Sequence, residues 1–248
     1  MLLTRIRPHI ALYVGLVLGI ALIASGPIAQ LSDYHAFADQ RSLLGLANAG
    51  DVLSNLGFLL VAAYGFFAVW RARADDLARI AYAVFFGAIA ATALGSTWYH
   101  LAPDDGRLVW DRLPIAVACA SLLAAAVHEA YRKTIPAFFS LVVLASFGVL
   151  SVLWWSWTGD LRFYLLIQAA PLVLIPVLQW QAGTPMAQRA SFIVAIALYV
   201  LAKLFEVADQ AVLEVLGFAS GHTIKHLLAV LAAFVIARAF SRRAQSQY

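Results

Sequence analysis

Charge is scarce in this chain. Asp, Glu, Lys and Arg make up 12% of 248 residues, against about 25% in soluble domains. So few charges cannot clothe a globule of this size while its apolar residues stay hidden, which excludes an ordinary soluble protein. Cysteine is nearly absent: Cys119 stands alone inside an apolar run. That excludes a disulfide framework within the chain and any cysteine-based zinc knuckle, so a metal here must use histidine and carboxylate. No low-complexity tract, long polar linker or internal repeat divides the chain. The net charge is +4, but the basic residues are scattered singly between apolar runs. Without a patch, nucleic acid is not an expected partner.

Apolar sequence is abundant: 63% of residues are hydrophobic and the mean hydropathy is +0.85. A bilayer core of about 30 Å takes about 20 apolar residues per helix. Eight such segments are predicted, at roughly 9–31, 51–70, 79–101, 112–131, 135–154, 161–181, 189–208 and 219–240. Trp70, Trp98, Trp110, Trp154, Trp157 and Trp180 fall at or near segment ends, where amphipathic rings favour the headgroup layer. The first segment follows Arg5 and Arg7 but is longer than a signal-peptide core and lacks a clear small-residue cleavage site, so it reads as an uncleaved helix. Basic residues set orientation. Arg5, Arg7, Arg71, Arg73, Arg79, Arg132, Lys133, Arg189, Arg238, Arg242 and Arg243 fall on one side, and only Arg41, Arg107, Arg112 and Arg162 on the other. Both termini are therefore expected in the cytoplasm.

An ionisable group within a membrane helix is costly and needs a partner or a task. Ser96 and His100 are four apart, on one helix face at the outer end of the third segment. Asp111 opens the fourth after a short outer loop. His222 and His226, again one turn apart, open the eighth on the same side. Three stretches thus bring Ser96, His100, Asp111, His222 and His226 to one membrane level. Three imidazoles with a vacant fourth position are a catalytic zinc ligand set. Asp111 is placed to move protons as general base and acid, and Ser96 to hydrogen-bond water or an oxyanion.

Ser96-Thr-Trp-Tyr-His100, Asp111 and His222-Thr-Ile-Lys-His226, together with Asp51-Val-Leu-Ser54-Asn55, resemble the motifs of the alkaline ceramidases, seven-helix membrane hydrolases of the CREST superfamily. The resemblance covers about residues 33–240. It implies an all-α polytopic fold: a seven-helix domain over 33–240, an additional N-terminal transmembrane helix over 1–32 and a cytoplasmic tail over 241–248. It implies zinc on His100, His222 and His226, proton handling by Asp111, transition-state support from Ser96 and hydrolysis of an N-acyl lipid amide of the ceramide type. By position alone, Tyr164 corresponds to the family's tyrosine near the oxyanion. The family's acidic calcium-binding stretch maps onto Asp33, Asp39, Asn48 and Asp51, although its Trp is missing and its carboxylates are fewer here; hard cations take six or more oxygens. The expected partners are the lipid amide and membrane lipids, with no protein partner. A zinc-containing receptor of the adiponectin-receptor type is the alternative, and a proton-relaying transporter a third class, which inverted repeats would favour.

Simpler roles compete at several positions. Asp51 reads as a helix N-cap or a site residue, and Asn55 as a hydrogen bond across helices. Lys203, Glu206 and Asp209 read as a structural ion-pair network, with Lys225 facing away from the His222–His226 stripe. His35 reads as a solvated loop residue on the site side, His128 and Glu129 as interfacial, and Gly87, Gly95 and Gly148 as close helix contacts. The topology has a direct check. A reporter fused after Tyr248 is expected to read as cytoplasmic, and a cysteine between Pro103 and Arg107, in a Cys119→Ser background, to label from outside. An external reporter with a protected loop would reverse the orientation.

Overall fold

A computed structural model describes residues 9–72, 78–131 and 135–245. Arg5, Arg7, Arg73, Arg132 and Lys133, which enter the orientation argument, lie outside the described residues, as do 246–248 of the expected tail. The described chain is all-helical: α1 (Ile10–Ala24), α2 (Ala49–Ser54), α3 (Leu56–Arg71), α4 (Ala78–Leu101), α5 (Asp105–Tyr131), α6 (Ala137–Thr158), α7 (Arg162–Gln181), α8 (Met186–Val207), α9 (Asp209–Leu216) and α10 (Gly221–Gln245). With α2 and α3 taken as one run, seven spans among the described residues are long and apolar enough to cross a membrane. Their outer faces show Leu60, Phe138, Ile193 and Val200 to the surroundings, as lipid-facing helices must. The protein is an integral, multi-pass membrane protein.

Local chemistry sets the helix ends. Pro136 and Pro185 precede α6 and α8, and Gly159 and Gly217 follow α6 and α9 in the left-handed conformation, which costs glycine nothing. Pro114, Pro171 and Pro176 lie inside α5 and α7, where neighbouring helices can re-satisfy the freed carbonyls.

Three boundaries differ from the sequence reading. The first segment is expected over 9–31, but α1 has only 15 residues, about 22 Å at 1.5 Å per residue, and Gly26-Pro27 turn the chain away from helix. A short irregular stretch continues it: Asp160 accepts from the Ile28 amide at 3.1 Å, and the Leu161 amide donates to the Ile28 carbonyl at 2.8 Å. At the other end the Ala11 amide donates to Gln181 at 3.3 Å, so α1 lies antiparallel along α7. Arg162 holds the Asp160 carboxyl below the ordinary carboxylate range, which keeps this clamp charged. Secondly, α5 begins at Asp105, so most of the expected Pro103–Val109 loop is helix, started by Asp104 accepting from the Arg107 amide at 2.7 Å. Thirdly, α10 runs to Gln245, so the tail expected from 241 is helical over its described part.

Helices α3, α4, α5, α7, α8 and α10 surround a cavity, while α6 packs outside on α5 and α7. At the far end from the histidines, Glu129 of α5 pairs with Arg243 of α10 and accepts from Gln188 of α8. These charges tie three helices at that end of the bundle. Nearer the histidines, contact between α4 and α5 depends on Gly95, where a Cβ would run into the Trp110 carbonyl of α5. Gly148 plays the same part between α6 and the Ala116 carbonyl, whereas a Cβ at Gly87 meets only ordinary van der Waals contact.

Gly95 immediately precedes Ser96, and the backbone it meets belongs to Trp110 and Asp111. Gly95→Ala is therefore expected to lower stability by about 1–3 kcal/mol, the usual cost of overpacking, and to part Ser96 from Asp111. A melting temperature equal to wild type would show that the two helices have room to spare.

Candidate metal centre

The histidines converge. His100 comes from the last turn of α4, and His222 and His226 from the first turns of α10. One ring nitrogen from each lies within 4.8 Å of the others. The ring centroids stand 4.9, 5.0 and 4.9 Å apart, and all three side chains are buried. Among the described residues no other group of three His, Cys, Asp or Glu side chains converges in this way.

Helix α2 arranges the rings. Asn48 takes the left-handed conformation before α2 and donates from Nδ2 to the His100 carbonyl at 2.8 Å, tying this segment to the end of α4. The Ser54 hydroxyl donates to the Asp51 carbonyl at 2.8 Å. His226 Nδ1 lies 2.8 Å from Ser54 Oγ and 3.2 Å from the Asp51 carbonyl. A carbonyl can only accept, so Nδ1 carries the proton and Nε2 keeps its lone pair for a metal. The Asp51 carboxylate accepts from Thr223 Oγ1 at 2.7 Å through Oδ1. Its Oδ2 lies 3.9 Å from His100 Nδ1, and both atoms are buried without a hydrogen-bond partner. A carboxylate behind a ligand imidazole is the usual orienting partner at a zinc site.

His222 is held through its backbone. Asp209 accepts from its amide at 2.7 Å and from the Ala38 amide at 2.9 Å, which ties the start of α10 to α9 and to the loop before α2. Gly221 makes this possible, since a Cβ there would strike the Phe205 carbonyl and the Asp209 backbone. Phe37 covers the cluster, its ring centroid 4.7 Å from His100 and 4.6 Å from His222. Three neutral imidazoles, two with an acceptor behind Nδ1 and all sealed from bulk water, fit a zinc ion.

The residues expected to handle protons lie beside this cluster. Ser96, Asp111, Tyr164 and His226 line one cavity of about 200 Å³, and the Ser96 hydroxyl interacts with the Asp111 carboxyl. Away from this polar end the walls are apolar, with Phe85, Ile89, Ile175, Phe192 and Ile236 among them.

Three of the four expected calcium ligands, Asp39, Asn48 and Asp51, are engaged elsewhere. Asp39 accepts from Arg41 Nε and Nη2, each at 2.7 Å, and from the Arg41 amide at 3.1 Å; this pairing holds its carboxyl below the usual range. Asn48 and Asp51 serve His100, Thr223 and His226, and Asp33 is exposed. Asp33, Asp39 and Asp51 do not form a metal-ligating group.

Other readings also change. Asp51 is not an N-cap: α2 begins two residues earlier, and the carboxylate turns inward toward α10 and α4. Asn55 donates within its own helical run, to the Asp51 carbonyl at 3.0 Å. Lys225 does not face away from the stripe. A long side chain three residues after His222 reaches back over the preceding turn, placing Nζ 3.3 Å from His222 Nε2 and 2.6 Å from Glu206. Lys203 and Glu206 do pair, at 2.8 Å, but Asp209 leaves that network to hold His222. His35 lies in the loop before α2, half-buried, with its Nδ1 2.9 Å from the hydroxyl of Tyr99, the residue before His100, and its Nε2 3.2 Å from the exposed Asp105. Phe37 lies in no motif and Thr223 reads only as a spacer within His222–His226; the fold brings Phe37 over the histidines and Thr223 against Asp51. No protein-family model matches the chain, and no curated protein matches it.

Purified protein is expected to hold about one zinc ion, since the set comprises one tetrahedral site. His222→Ala or His226→Ala should remove the ion. Ser54→Ala, which takes away the nearer of the two acceptors behind His226 and leaves the Asp51 carbonyl, should weaken affinity by about 10-fold, the lower end for an orienting partner. Undiminished zinc in the His100, His222 and His226 triple alanine variant would eliminate the site.

Proposed function

We propose that the protein is a zinc-dependent hydrolase that cleaves an N-acyl lipid amide, of the ceramide type, to a free fatty acid and an amine. The observation that carries this reading is the shared cavity, which has His226, Ser96 and Asp111 at one end and apolar walls beyond. His100, His222 and His226 would hold the zinc. Bound there, it supplies Lewis acidity, polarising a carbonyl and acidifying water. The resemblance of the Ser96–His100, Asp111 and His222–His226 motifs to the alkaline ceramidases supports the same chemistry.

The remaining work falls to side chains. Asp111 takes a proton from the attacking water as the oxygen–carbon bond forms. It then gives that proton to the amide nitrogen as the carbon–nitrogen bond breaks, because an amine leaves poorly unless protonated. One carboxyl thus serves as base and acid, and no proton is left over. Ser96 holds the Asp111 carboxyl and offers its hydroxyl to the developing oxyanion. Tyr164, buried on the opposite wall, is a second donor to that oxygen. The acyl chain lies along Phe85, Ile89, Ile175 and Phe192, so binding draws on buried apolar area and requires no opening to bulk water. This reading places the site toward the outer face of the membrane, opposite both termini.

N-acyl sphingoid bases in mixed micelles, with free fatty acid followed over time, provide the test. Wild type is expected to turn over. Asp111→Asn should lose at least 100-fold in kcat, the lower range for a general acid–base group, while keeping its zinc. Ser96→Ala should lose less. Zinc-loaded wild type that cleaves no lipid amide across a chain-length panel, yet binds lipid saturably, would favour a receptor over an enzyme.

A further inference from the structure

We propose that Gln168 and Tyr199 form a hydroxyl-binding subsite in the cavity, and that the acyl chain of the preferred lipid carries a hydroxyl group a few carbons from its amide. The inference rests on the reading that this cavity holds the acyl chain of a lipid amide. Its ground is a buried side-chain amide on the cavity wall with half of its hydrogen-bonding capacity unused.

Gln168 of α7 and Tyr199 of α8 both line the cavity. The Tyr199 hydroxyl donates to Gln168 Oε1 at 3.2 Å, and Gln168 is only 8% exposed. Among the described residues nothing accepts from Gln168 Nε2. That nitrogen is nevertheless not sealed within protein, and its residue stands on the cavity wall. Exchanging the nitrogen and oxygen of the amide would turn the bond to Tyr199 round, but would still leave one of the two idle. An unmade hydrogen bond in apolar surroundings is costly. Thr92, on another wall of the same cavity, avoids that cost by donating to the Ala88 carbonyl of its own helix at 2.9 Å. Gln168 has no such outlet.

Helix direction fixes the depth of the pair. Helix α7 runs away from the histidine end, and Gln168 follows Tyr164 by one turn, about 6 Å further in. Helix α8 runs the opposite way, and Tyr199 precedes Lys203 by one turn. Both side chains therefore stand just past the polar end, where an acyl chain leaves the reacting carbonyl and the walls of Ile175 and Phe192 begin.

A hydroxyl matches what this pair leaves open. Gln168 Nε2 offers N–H donors, and the Tyr199 oxygen, its proton already directed to Gln168, keeps acceptor capacity. A hydroxyl between them accepts from Gln168 and donates to Tyr199, closing a ring of three hydrogen bonds. A ketone can only accept. A methylene does neither and leaves the amide unpaired, and a charged group would enter an apolar stretch without a counter-ion. Sites that hydrogen-bond a hydroxyl discriminate strongly against the analogue that lacks it.

Hexadecanoic acid and its hydroxy derivatives, substituted on the second, fourth, sixth, eighth or last carbon, provide the test, because they contain no amide and their binding is independent of turnover. Binding to the zinc-loaded protein in nanodiscs is measured against empty nanodiscs, which removes differences in membrane partition. The best of the fourth-, sixth- and eighth-carbon hydroxy acids is expected to bind about ten-fold or more tightly than the plain acid. It should also bind more tightly than the second- and last-carbon isomers and than the keto acid substituted at its own position. In Gln168→Leu and in Tyr199→Phe the preference over the plain acid should fall below three-fold, with zinc content and melting temperature reporting whether each variant is folded. Equal or tighter binding of the plain acid by wild type would overturn the proposal without needing any variant, and would leave the pair as a clasp between α7 and α8. A preference that peaks at the second or last carbon, or that survives in both folded variants, would overturn it too. Loss of the hydrolase reading would appear separately, as absent fatty-acid release with the hydroxyl preference intact.

Discussion

The candidate metal centre depends on the way Asp51 bridges the helices that carry the histidines. Its carbonyl receives His226 Nδ1 and the Ser54 hydroxyl, one carboxylate oxygen receives Thr223, and the other faces His100 Nδ1. One residue on α2 therefore contacts the start of α10 twice and the end of α4 once. A buried carboxylate in a membrane protein is costly unless paired, and here the pairing also orients ligands. This explains why α2 is separate from α3. The short helix sets its carbonyls and carboxylate against the histidines, and α3 then continues across the membrane after Asn55.

Around this bridge the protein keeps its polar groups at one end of the cavity. Asp209 anchors the His222 backbone, Phe37 closes the cluster from outside, and Gly95 and Gly221 allow backbones to approach where a Cβ would hold them apart. Interiors are packed to crystalline density, so a shift in one of these contacts moves the imidazoles or the Ser96–Asp111 pair. The opposite end is tied by Glu129 with Arg243 and Gln188. The middle of the cavity is apolar, which separates the histidine cluster from the fixing charges at the far end.

Charged side chains of both signs surround the candidate site. Lys225 and Glu206 lie within a few ångströms of His222, and Arg112 follows Asp111 directly in sequence. These charges come from residues adjacent to the histidines and to Asp111 on the same helices, with Lys225 between the two histidines of α10 and Arg112 next to Asp111.

Much was legible in the sequence, for physical reasons that do not depend on the fold. Seven of the eight segments counted in the sequence are spans, because each must satisfy its own backbone and present apolar side chains to lipid, whereas the first, read as 9–31, holds only the short α1. The three histidines stood out because polar groups inside such spans are costly. Spacing of four placed His222 with His226 and Ser96 with His100. Helix direction brought His100, Asp111 and the α10 pair to one side. The sequence alone could not reveal what depends on contacts between segments far apart in the chain. Asp51 resembles an N-cap until α10 brings Thr223 against it, and Asp209 resembles a member of an ion-pair network until it is found holding the His222 amide. Lys225 seemed to point away because helical spacing gives the direction of a Cβ, not the reach of four methylenes toward Glu206. The supposed calcium carboxylates were read as free oxygens, but tertiary structure gives Asp39 to Arg41 and Asp51 to the histidines. Periodicity and the cost of burying charge are local properties that sequence carries, whereas the partner of a buried polar group is chosen only when distant helices pack.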